Sequence, residues 1–165
     1  MLNPKTQDAL NKQVNAELHS SYLYLSMAAY FESENLGGMA QWMRVQAREE
    51  LAHAMKLFNF INERNGRVTL TQVEAPKTEW ESPLDVFRSA YDHECKITGL
   101  IHELVDLAAS QKDHAANAFL QWFVTEQVEE EAAALEIVES LKLAGDHGAA
   151  LLMLDRQLGQ RAPAS

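Results

Sequence analysis

The stretch QAREELAHAMKLF, residues 46–58, decides the fold, because it places a carboxylate and an imidazole on the apolar face of a predicted helix. Glu50 and His53 share that face with Met43 and Leu57, since positions three, four and seven apart lie on one side of an α-helix. A Glu-x-x-His pair by itself is common on solvated helices. On an apolar face it predicts polar side chains inside the core, where an unpaired charge costs several kcal/mol.

Polar residues in the other long predicted helices repeat this arrangement. Three pairs of residues are each separated by 77 positions (17 to 94, 50 to 127, 53 to 130): Glu17 and Glu94, Glu50 and Gln127, and His53 and Glu130. Each lies among apolar neighbours at helical spacing and near the middle of its predicted helix. Because helix midpoints align whichever way the helices run, these side chains are predicted to meet at one level of a bundle.

Helix start and stop signals divide the 165 residues into one domain (1–165) with five helices. The predicted helices cover about 4–34, 38–65, 83–110, 113–144 and 147–158, with Asn3-Pro4 opening the first and Asp146 capping the last. Residues 66–82 form a long crossover, since about 17 extended residues reach roughly 56 Å and a helix of about 28 residues spans roughly 42 Å. The sequence therefore predicts an all-α four-helix bundle of two antiparallel hairpins with a short fifth C-terminal helix.

Charge and composition exclude several classes of partner. The formal net charge of −10 argues against nucleic acid and anionic membrane surfaces, because both attract basic proteins. No apolar run is long enough to cross a bilayer, and the N-terminus lacks the basic and apolar segments of a secretory signal. Cys95 has no second cysteine to pair with, and we predict a small buried residue there. We therefore expect a cytoplasmic protein.

The buried polar residues need cations to remain charged in an apolar core. Close carboxylates otherwise protonate, since burial and mutual repulsion both raise the pKa of a carboxyl group. Two divalent ions supply four positive charges and so neutralise the four carboxylates of Glu17, Glu50, Glu94 and Glu130. Oxygen ligands with the single imidazole of His53 suit iron or manganese, and the lack of thiolate ligands argues against structural zinc. The sequence therefore predicts a site for two metal ions.

The helix order, the crossover and the ligand pattern resemble the ferritin family along nearly the whole chain, and within it the haem-free bacterial ferritins. The resemblance implies two iron positions. The first is formed by Glu17, Glu50 and His53. The second is completed by Glu94, Gln127 and Glu130, with Glu50 as the bridge between the two. Bacterioferritins carry a second Glu-x-x-His where this chain has Gln127-x-x-Glu130, and a haem-ligating methionine where it has Leu51. We therefore expect no haem, and an asymmetric site that holds iron loosely at Gln127.

The resemblance also implies roles for residues beside this centre. Glu49, Glu126 and Glu129 match the third iron site of bacterial ferritins, and the alternative is a group of partly solvated carboxylates that support the inner ligands. Tyr24 lies two turns from Glu17 on the same face, where the resemblance implies an electron donor and core packing is the alternative. The remaining histidines have no comparable partners and are interpreted as surface or structural residues: His19, His93, His102, His114 and His147.

By resemblance the chain is expected to store iron and to act as a ferroxidase. The expected reaction oxidises Fe²⁺ to Fe³⁺ with O₂ or H₂O₂ at the two-ion centre and deposits ferric oxyhydroxide. A mineral needs an enclosed space, so we expect a hollow homo-oligomeric shell, of twenty-four subunits by resemblance. Leu151, Leu154 and Leu158, with Leu152 beside this stripe, are expected to form a subunit contact. The alternatives are a di-iron oxidase, such as a rubrerythrin-like peroxidase, and a structural bundle that binds no metal.

Overall fold

The structure, a computed structural model, describes residues 1–162 and contains five helices in that range. These are α1 (Pro4–Ser33), α2 (Gly37–Glu63), α3 (Pro83–Ser110), α4 (His114–Ala144) and α5 (Gly148–Leu158). The described residues form no strand, and the predicted all-α class is confirmed. The predicted helix ends differ from the observed ones by two residues at most. None of the helices in the described part combines the length and apolar character needed to cross a lipid bilayer.

Three of the long helices begin at capping side chains. The Asn3 side chain accepts a hydrogen bond from the Lys5 amide at 2.9 Å, and Ser82 Oγ accepts one from the Asp85 amide at 3.1 Å. Asp113 Oδ1 accepts from the Ala116 amide at 2.9 Å. Each cap satisfies an amide that the first helical turn leaves without a partner.

Residues with a positive φ follow the long helices α2 and α4. Asn65 has φ 57° just after α2, and Gly145 has φ 56° after α4, so both take the positive φ that stops a helix. The prediction that Asp146 caps α5 is wrong. His147 precedes that helix, and its side chain makes no capping hydrogen bond.

Side chains of α1 hold the crossover along the outside of the bundle. Asn11 Nδ2 donates a hydrogen bond to the Arg67 carbonyl at 2.9 Å, and Asn11 Oδ1 accepts one from the Thr69 backbone amide at 2.8 Å. One turn later, Asn15 Nδ2 donates to Thr71 Oγ1 at 3.0 Å. The crossover has no regular secondary structure, and these hydrogen bonds to α1 hold it in position.

The apolar core has two halves, and every long helix contributes to both. One half contains Phe31, Met43, Phe87 and Leu141, and the other contains Leu10, Leu57, Ile101 and Leu120. On each helix the predicted ligands lie, in sequence, between the residues of one half and those of the other. A polar layer therefore crosses the bundle at one level, as the sequence predicts.

Helix α5 packs back against its own bundle through its leucine stripe. Leu158 belongs to the first half of the core, and Leu151 and Leu154 pack against it. These three leucines therefore cover the chain's own core, and the subunit contact that the sequence predicts for this helix stays a prediction. The apolar side chains that α5 leaves exposed are Leu152 and Met153.

The start of α2 is the point where α5 docks. Asp155 is buried, and its Oδ1 accepts a hydrogen bond from the Met39 amide at 2.8 Å, so α5 caps α2 from a distant part of the sequence. A Cβ at Gly38 would overlap the backbone carbonyl of Asp155. A Cβ at Gly159 would lie 2.9 Å from the Cα of Gly38. The two backbones therefore approach to a distance that only glycine permits.

The Gly38→Ala variant tests this docking. We expect it to lower the free energy of unfolding of the metal-free protein by about 2 kcal/mol, because α5 must move and release the Asp155 cap. Gly37→Ala is the matched control, since a Cβ at Gly37 meets nothing within 4 Å. Guanidinium denaturation followed by tryptophan fluorescence measures both variants. Equal stabilities of the two variants would contradict the docking described here.

Candidate metal centre

The six predicted inner ligands all lie in the buried polar layer. Their exposed fractions range from 1% to 6%: Glu17 1%, Glu50 1%, Glu94 1%, Gln127 2%, His53 4% and Glu130 6%. Helix α1 carries Glu17, α2 carries Glu50 and His53, α3 carries Glu94, and α4 carries the remaining two. One residue or pair from each of four helices therefore converges on the same layer.

Three groups of side chains in this layer bring ligand atoms within 4.8 Å of one another. The groups are Glu17, Glu50 and His53; Glu50, Glu94 and Glu130; and His53, Glu126 and Glu130. Glu50 belongs to the first two groups and therefore lies between two positions at which a cation can bind. Carboxylate oxygens with a single imidazole nitrogen are ligands that suit iron and manganese.

Burial makes the inner carboxylates weak acids in the absence of a cation. Desolvation is the main cause of the raised pKa of Glu17, Glu50 and Glu94, and the charges of neighbouring carboxylates raise that of Glu50 further. Burial and the charge of Glu94 raise the pKa of Glu130 to about 8. The layer therefore holds protons that a bound cation displaces.

His53 is neutral and has an unused nitrogen. Burial, followed by the charge of Lys56, lowers its pKa to about 4. Its Nδ1 lies 3.2 Å from Glu50 Oε2 but forms no hydrogen bond, and Glu17 Oε2 also lacks a hydrogen-bond partner. Buried polar atoms without partners are rare. Two of them in one ligand group indicate atoms that are held for a cation.

Two buried glutamines that the sequence analysis missed hold the inner carboxylates in place. Gln46 Nε2 donates to Glu50 Oε1 at 3.2 Å and to Glu130 Oε2 at 2.6 Å, so it joins α2 to α4. Gln13 Nε2 donates to Glu17 Oε1 at 3.0 Å. Each glutamine lies one helical turn before a ligand on the same face, and this spacing is the sequence signal that identifies them.

Glu94 is held from two sides. The buried Tyr24 hydroxyl donates to Glu94 Oε1, and Gln127 Nε2 donates to Glu94 Oε2 at 3.1 Å and to Thr98 Oγ1 at 3.2 Å. Burial and the charge of Glu94 raise the pKa of Tyr24 well above its ordinary value. The phenol therefore contacts the centre directly and keeps its proton.

The outer acidic residues are less closely gathered than the inner ones. Glu126 Oε1 lies 3.7 Å from His53 Nε2, and Glu49 Oε2 lies 2.6 Å from a guanidinium nitrogen of Arg161. Glu129 is exposed, and among the described residues neither it nor Glu49 joins a group of ligand atoms. Burial raises the pKa of Glu126, and the charges of Glu129 and Glu49 raise it further. The three carboxylates therefore repel one another.

The remaining thiol and imidazoles lie outside this ligand layer. Cys95, which follows Glu94 on α3, is half-buried, whereas the sequence predicts a buried residue there. His93 Nε2 lies 2.7 Å from Ser20 Oγ, and burial lowers the pKa of this histidine to about 4. His19 is half-buried and the other three histidines are exposed: His102, His114 and His147.

The sequence of this chain is similar to those of known proteins. A family model described as a ferritin-like domain matches residues 7–144. A bacterial non-heme ferritin of Bacteroides fragilis is 45% identical over 98% of this chain and 100% of its own length. A probable bacterial non-heme ferritin-like protein of Haemophilus influenzae is 39% identical over 96% of each chain.

Solved structures are also similar to this chain, in both sequence and fold. A closed form of the Archaeoglobus fulgidus ferritin, made by site-directed mutagenesis, is 55% identical over 99% of this chain and 100% of its own, with a TM-score of 0.99. The open-pore ferritin of the same hyperthermophilic archaeon is 56% identical over 98% of each chain, with a TM-score of 0.97.

Proposed function

The chain belongs to the ferritin family, and from this membership we propose that it stores iron and oxidises Fe²⁺ to Fe³⁺ at its polar layer. The observation that carries the proposal is the buried set of four glutamates and one histidine, in which Glu50 belongs to two ligand groups. An apolar bundle keeps four such carboxylates charged only when cations neutralise them. Two Fe²⁺ ions supply the required charge.

The ligand groups divide into two iron positions. The first consists of Glu17, Glu50 and His53, and the second of Glu50, Glu94 and Glu130 with Gln127 beside them. The neutral His53 offers a nitrogen lone pair to the first position, and no imidazole joins the second group. We therefore propose that the first position binds iron more tightly, with Glu50 as the bridge.

The protein's part in the reaction is to position the two Fe²⁺ ions and to manage protons. Each ion gives one electron to O₂, which becomes H₂O₂ after taking up two protons, and H₂O₂ then oxidises a further pair of ions to form water. The carboxylates release their protons when iron binds, since their raised pKa values apply only without a cation. Hydrolysis of Fe³⁺ yields the ferric oxyhydroxide that is stored.

Tyr24 is the proposed electron donor when the iron pair does not supply all the electrons that the oxidant needs. Its hydroxyl contacts Glu94, a ligand of the second position, and its phenol is protonated. Electron loss from a phenol releases its proton, and Glu94 lies where it accepts that proton. A structural role alone requires only the hydrogen bond.

Anaerobic titration with Fe²⁺, followed by addition of O₂, tests the proposed function. We expect two or three ions to bind per chain and the ultraviolet absorbance of Fe³⁺ to appear on oxidation. A structural bundle would bind no iron. A di-iron peroxidase would turn over an organic or peroxide substrate without consuming iron, and its active site would remain loaded.

We further propose that the subunits form a hollow homo-oligomeric shell, of twenty-four subunits, in the cytoplasm. Large apolar side chains remain on the surface of the described chain, including Leu143 with 89% exposure and Met153 with 73%. Such side chains favour burial between subunits. The similar archaeal ferritins are described by an open pore and a closed form. Elution of the native protein as a monomer or dimer in size-exclusion chromatography would overturn the proposed shell.

The expected absence of haem stays a prediction. It rests on Leu51, which follows Glu50 where a haem-ligating methionine would stand by resemblance, and which is 46% exposed. A cytoplasmic location likewise rests on the unpaired Cys95, because disulfides are rare in reducing compartments.

The outer carboxylates Glu49, Glu126 and Glu129 are proposed to hold a third iron ion. Changing all three to alanine is expected to lower the number of anaerobically bound Fe²⁺ ions by one per chain, while the inner pair still binds. Supporting carboxylates without a metal would leave the binding number unchanged. Changing three exposed glutamates elsewhere, Glu63, Glu103 and Glu139, controls for the loss of negative charge.

The Gln127→Glu variant tests the asymmetry of the inner site. A carboxylate binds iron more tightly than an amide, so we expect Fe³⁺ to leave the oxidised centre several-fold more slowly in the variant. Capture of Fe³⁺ by an external chelator after a single oxidation measures this rate. Gln121→Glu is the matched control, because Gln121 is exposed on the same helix. Equal release rates for the wild type and Gln127→Glu would contradict the asymmetry.

A further inference from the structure

Arg161, just beyond α5, lies along one stripe of α2. Its Nη1 donates to the Trp42 carbonyl at 3.3 Å and to Gln46 Oε1 at 3.0 Å, and its Nη2 lies 2.6 Å from Glu49 Oε2. The guanidinium also lies over the Trp42 ring, 4.4 Å from its centroid. The capping of α2 by Asp155 fixes the path of α5 that leads to this position. A cation from the chain itself therefore already occupies one side of the outer acidic group.

The guanidinium also sets the direction of the Gln46 amide. A guanidinium donates hydrogen bonds and accepts none, so only Oε1 of Gln46 can face it. The Nε2 end must then point the other way, where it donates to Glu50 and Glu130. Arg161 is thus connected to two inner carboxylates through one side chain.

We infer that Arg161 is a built-in competitor for the outer iron ion, which must displace the guanidinium to bind Oε2 of Glu49. The inference rests on the proposed function, because it assumes that the outer carboxylates bind iron. An ion at Oε2 of Glu49 and the guanidinium of Arg161 exclude each other, since Arg161 Nη2 lies 2.6 Å from that oxygen. Displacement also removes the hydrogen bond from Arg161 to Oε1 of Gln46. Because Nε2 of the same side chain donates to Glu50 and Glu130, ion binding at the outer position affects the hydrogen bonds of two inner carboxylates.

Calorimetric titration with Zn²⁺ tests the inference on the full-length protein without any redox step. We expect Arg161→Ala to tighten the weakest Zn²⁺ binding step about tenfold, because the competing positive charge is gone. Arg161→Lys is expected to restore weak binding, since an ammonium group still pairs with Glu49. Arg156→Ala is the matched control, because Arg156 is exposed on α5 and lies outside these contacts.

A double-mutant cycle separates competition from a general effect of charge or folding. In a Glu49→Gln background, Arg161→Ala is expected to leave the weakest step unchanged, because the shared oxygen is no longer a carboxylate. An unchanged weakest step in the single variant would overturn the inference, and so would the same tightening in the Glu49→Gln background. In both cases the two inner ions still bind. If the wild type bound no Zn²⁺ tightly, the proposed function would be overturned, and this inference with it.

Discussion

The Glu50→Gln variant is expected to lose ferroxidase activity while its metal-free form becomes more stable than the wild type. Glu50 belongs to both inner ligand groups, so the change is expected to weaken both proposed iron positions at once. We expect the initial rate of Fe²⁺ oxidation to fall about 100-fold or more, because the proposed bridging ligand between the two ions is lost. Stopped-flow absorbance of Fe³⁺ after mixing with O₂ measures the rate.

The gain in stability has a separate cause. Glu50 is almost completely buried among carboxylates, and desolvation raises its pKa well above the ordinary value. Glutamine has the same shape, carries no charge, and still accepts the hydrogen bond from Gln46 through its carbonyl oxygen. At neutral pH the metal-free wild type must either bind a proton at Glu50 or bury a charge there, and glutamine removes this cost, which is expected to stabilise the metal-free protein by about 1–3 kcal/mol. For a chain of this size that raises the melting temperature by roughly 3 to 9 °C.

The two effects must occur together for the interpretation to hold. Glu63→Gln is the matched control, because Glu63 is exposed on the same helix, and it should change neither activity nor melting temperature. A Glu50→Gln variant that oxidises iron at the wild-type rate would exclude the bridging role. A metal-free variant less stable than the wild type would mean that Glu50 is well compensated without a cation.

The stability of the metal-free protein is expected to fall as pH rises from about 4.5 to about 8. The inner carboxyl groups have raised pKa values in the folded protein, about 8 for Glu130, and ordinary values near 4.5 in the unfolded chain. Over this interval these groups bind more protons in the folded state than in the unfolded state, so each increase in pH favours unfolding, and the lowered pKa values of His53 and His93 offset part of this effect below about pH 6.5. The stabilising contribution of Glu130 is complete below pH 4.5 and lost above pH 8, a change on the order of a few kcal/mol.

Bound metal is expected to remove this pH dependence. A cation keeps the carboxylates ionised in the folded state, so the folded state no longer binds the extra protons, and metal binding strengthens with pH. Melting curves between pH 5 and pH 8, with and without Zn²⁺, measure the difference. Glu130→Gln should flatten the metal-free curve. Parallel curves for the two states would show that the inner carboxylates do not control stability.

Much of the centre can be predicted from the sequence because helical periodicity and burial are local properties. Glu50 and His53 stand out on an apolar face, and the matching positions on the other helices follow by spacing. The burial of the outer carboxylates is harder to predict, because it depends on how neighbouring helices pack.

The contacts of Arg161 and Asp155 could not be predicted, since both depend on where α5 turns back. They join residues more than 110 positions apart, and no local pattern records such a pairing. The packing of the α5 leucines on the protein's own core could not be predicted either, since a stripe that covers the protein's own bundle has the same periodicity as one that covers a neighbour.

The polar layer has a consequence for engineering, because it divides the apolar core into two halves that share few contacts. Residues such as Phe31 and Phe87 lie in one half, and Leu10 and Ile101 lie in the other. Changes on opposite sides of the layer act on separate neighbours, so their energies should add. A designer can therefore adjust heat resistance from either end of the bundle and leave the iron chemistry at its middle untouched.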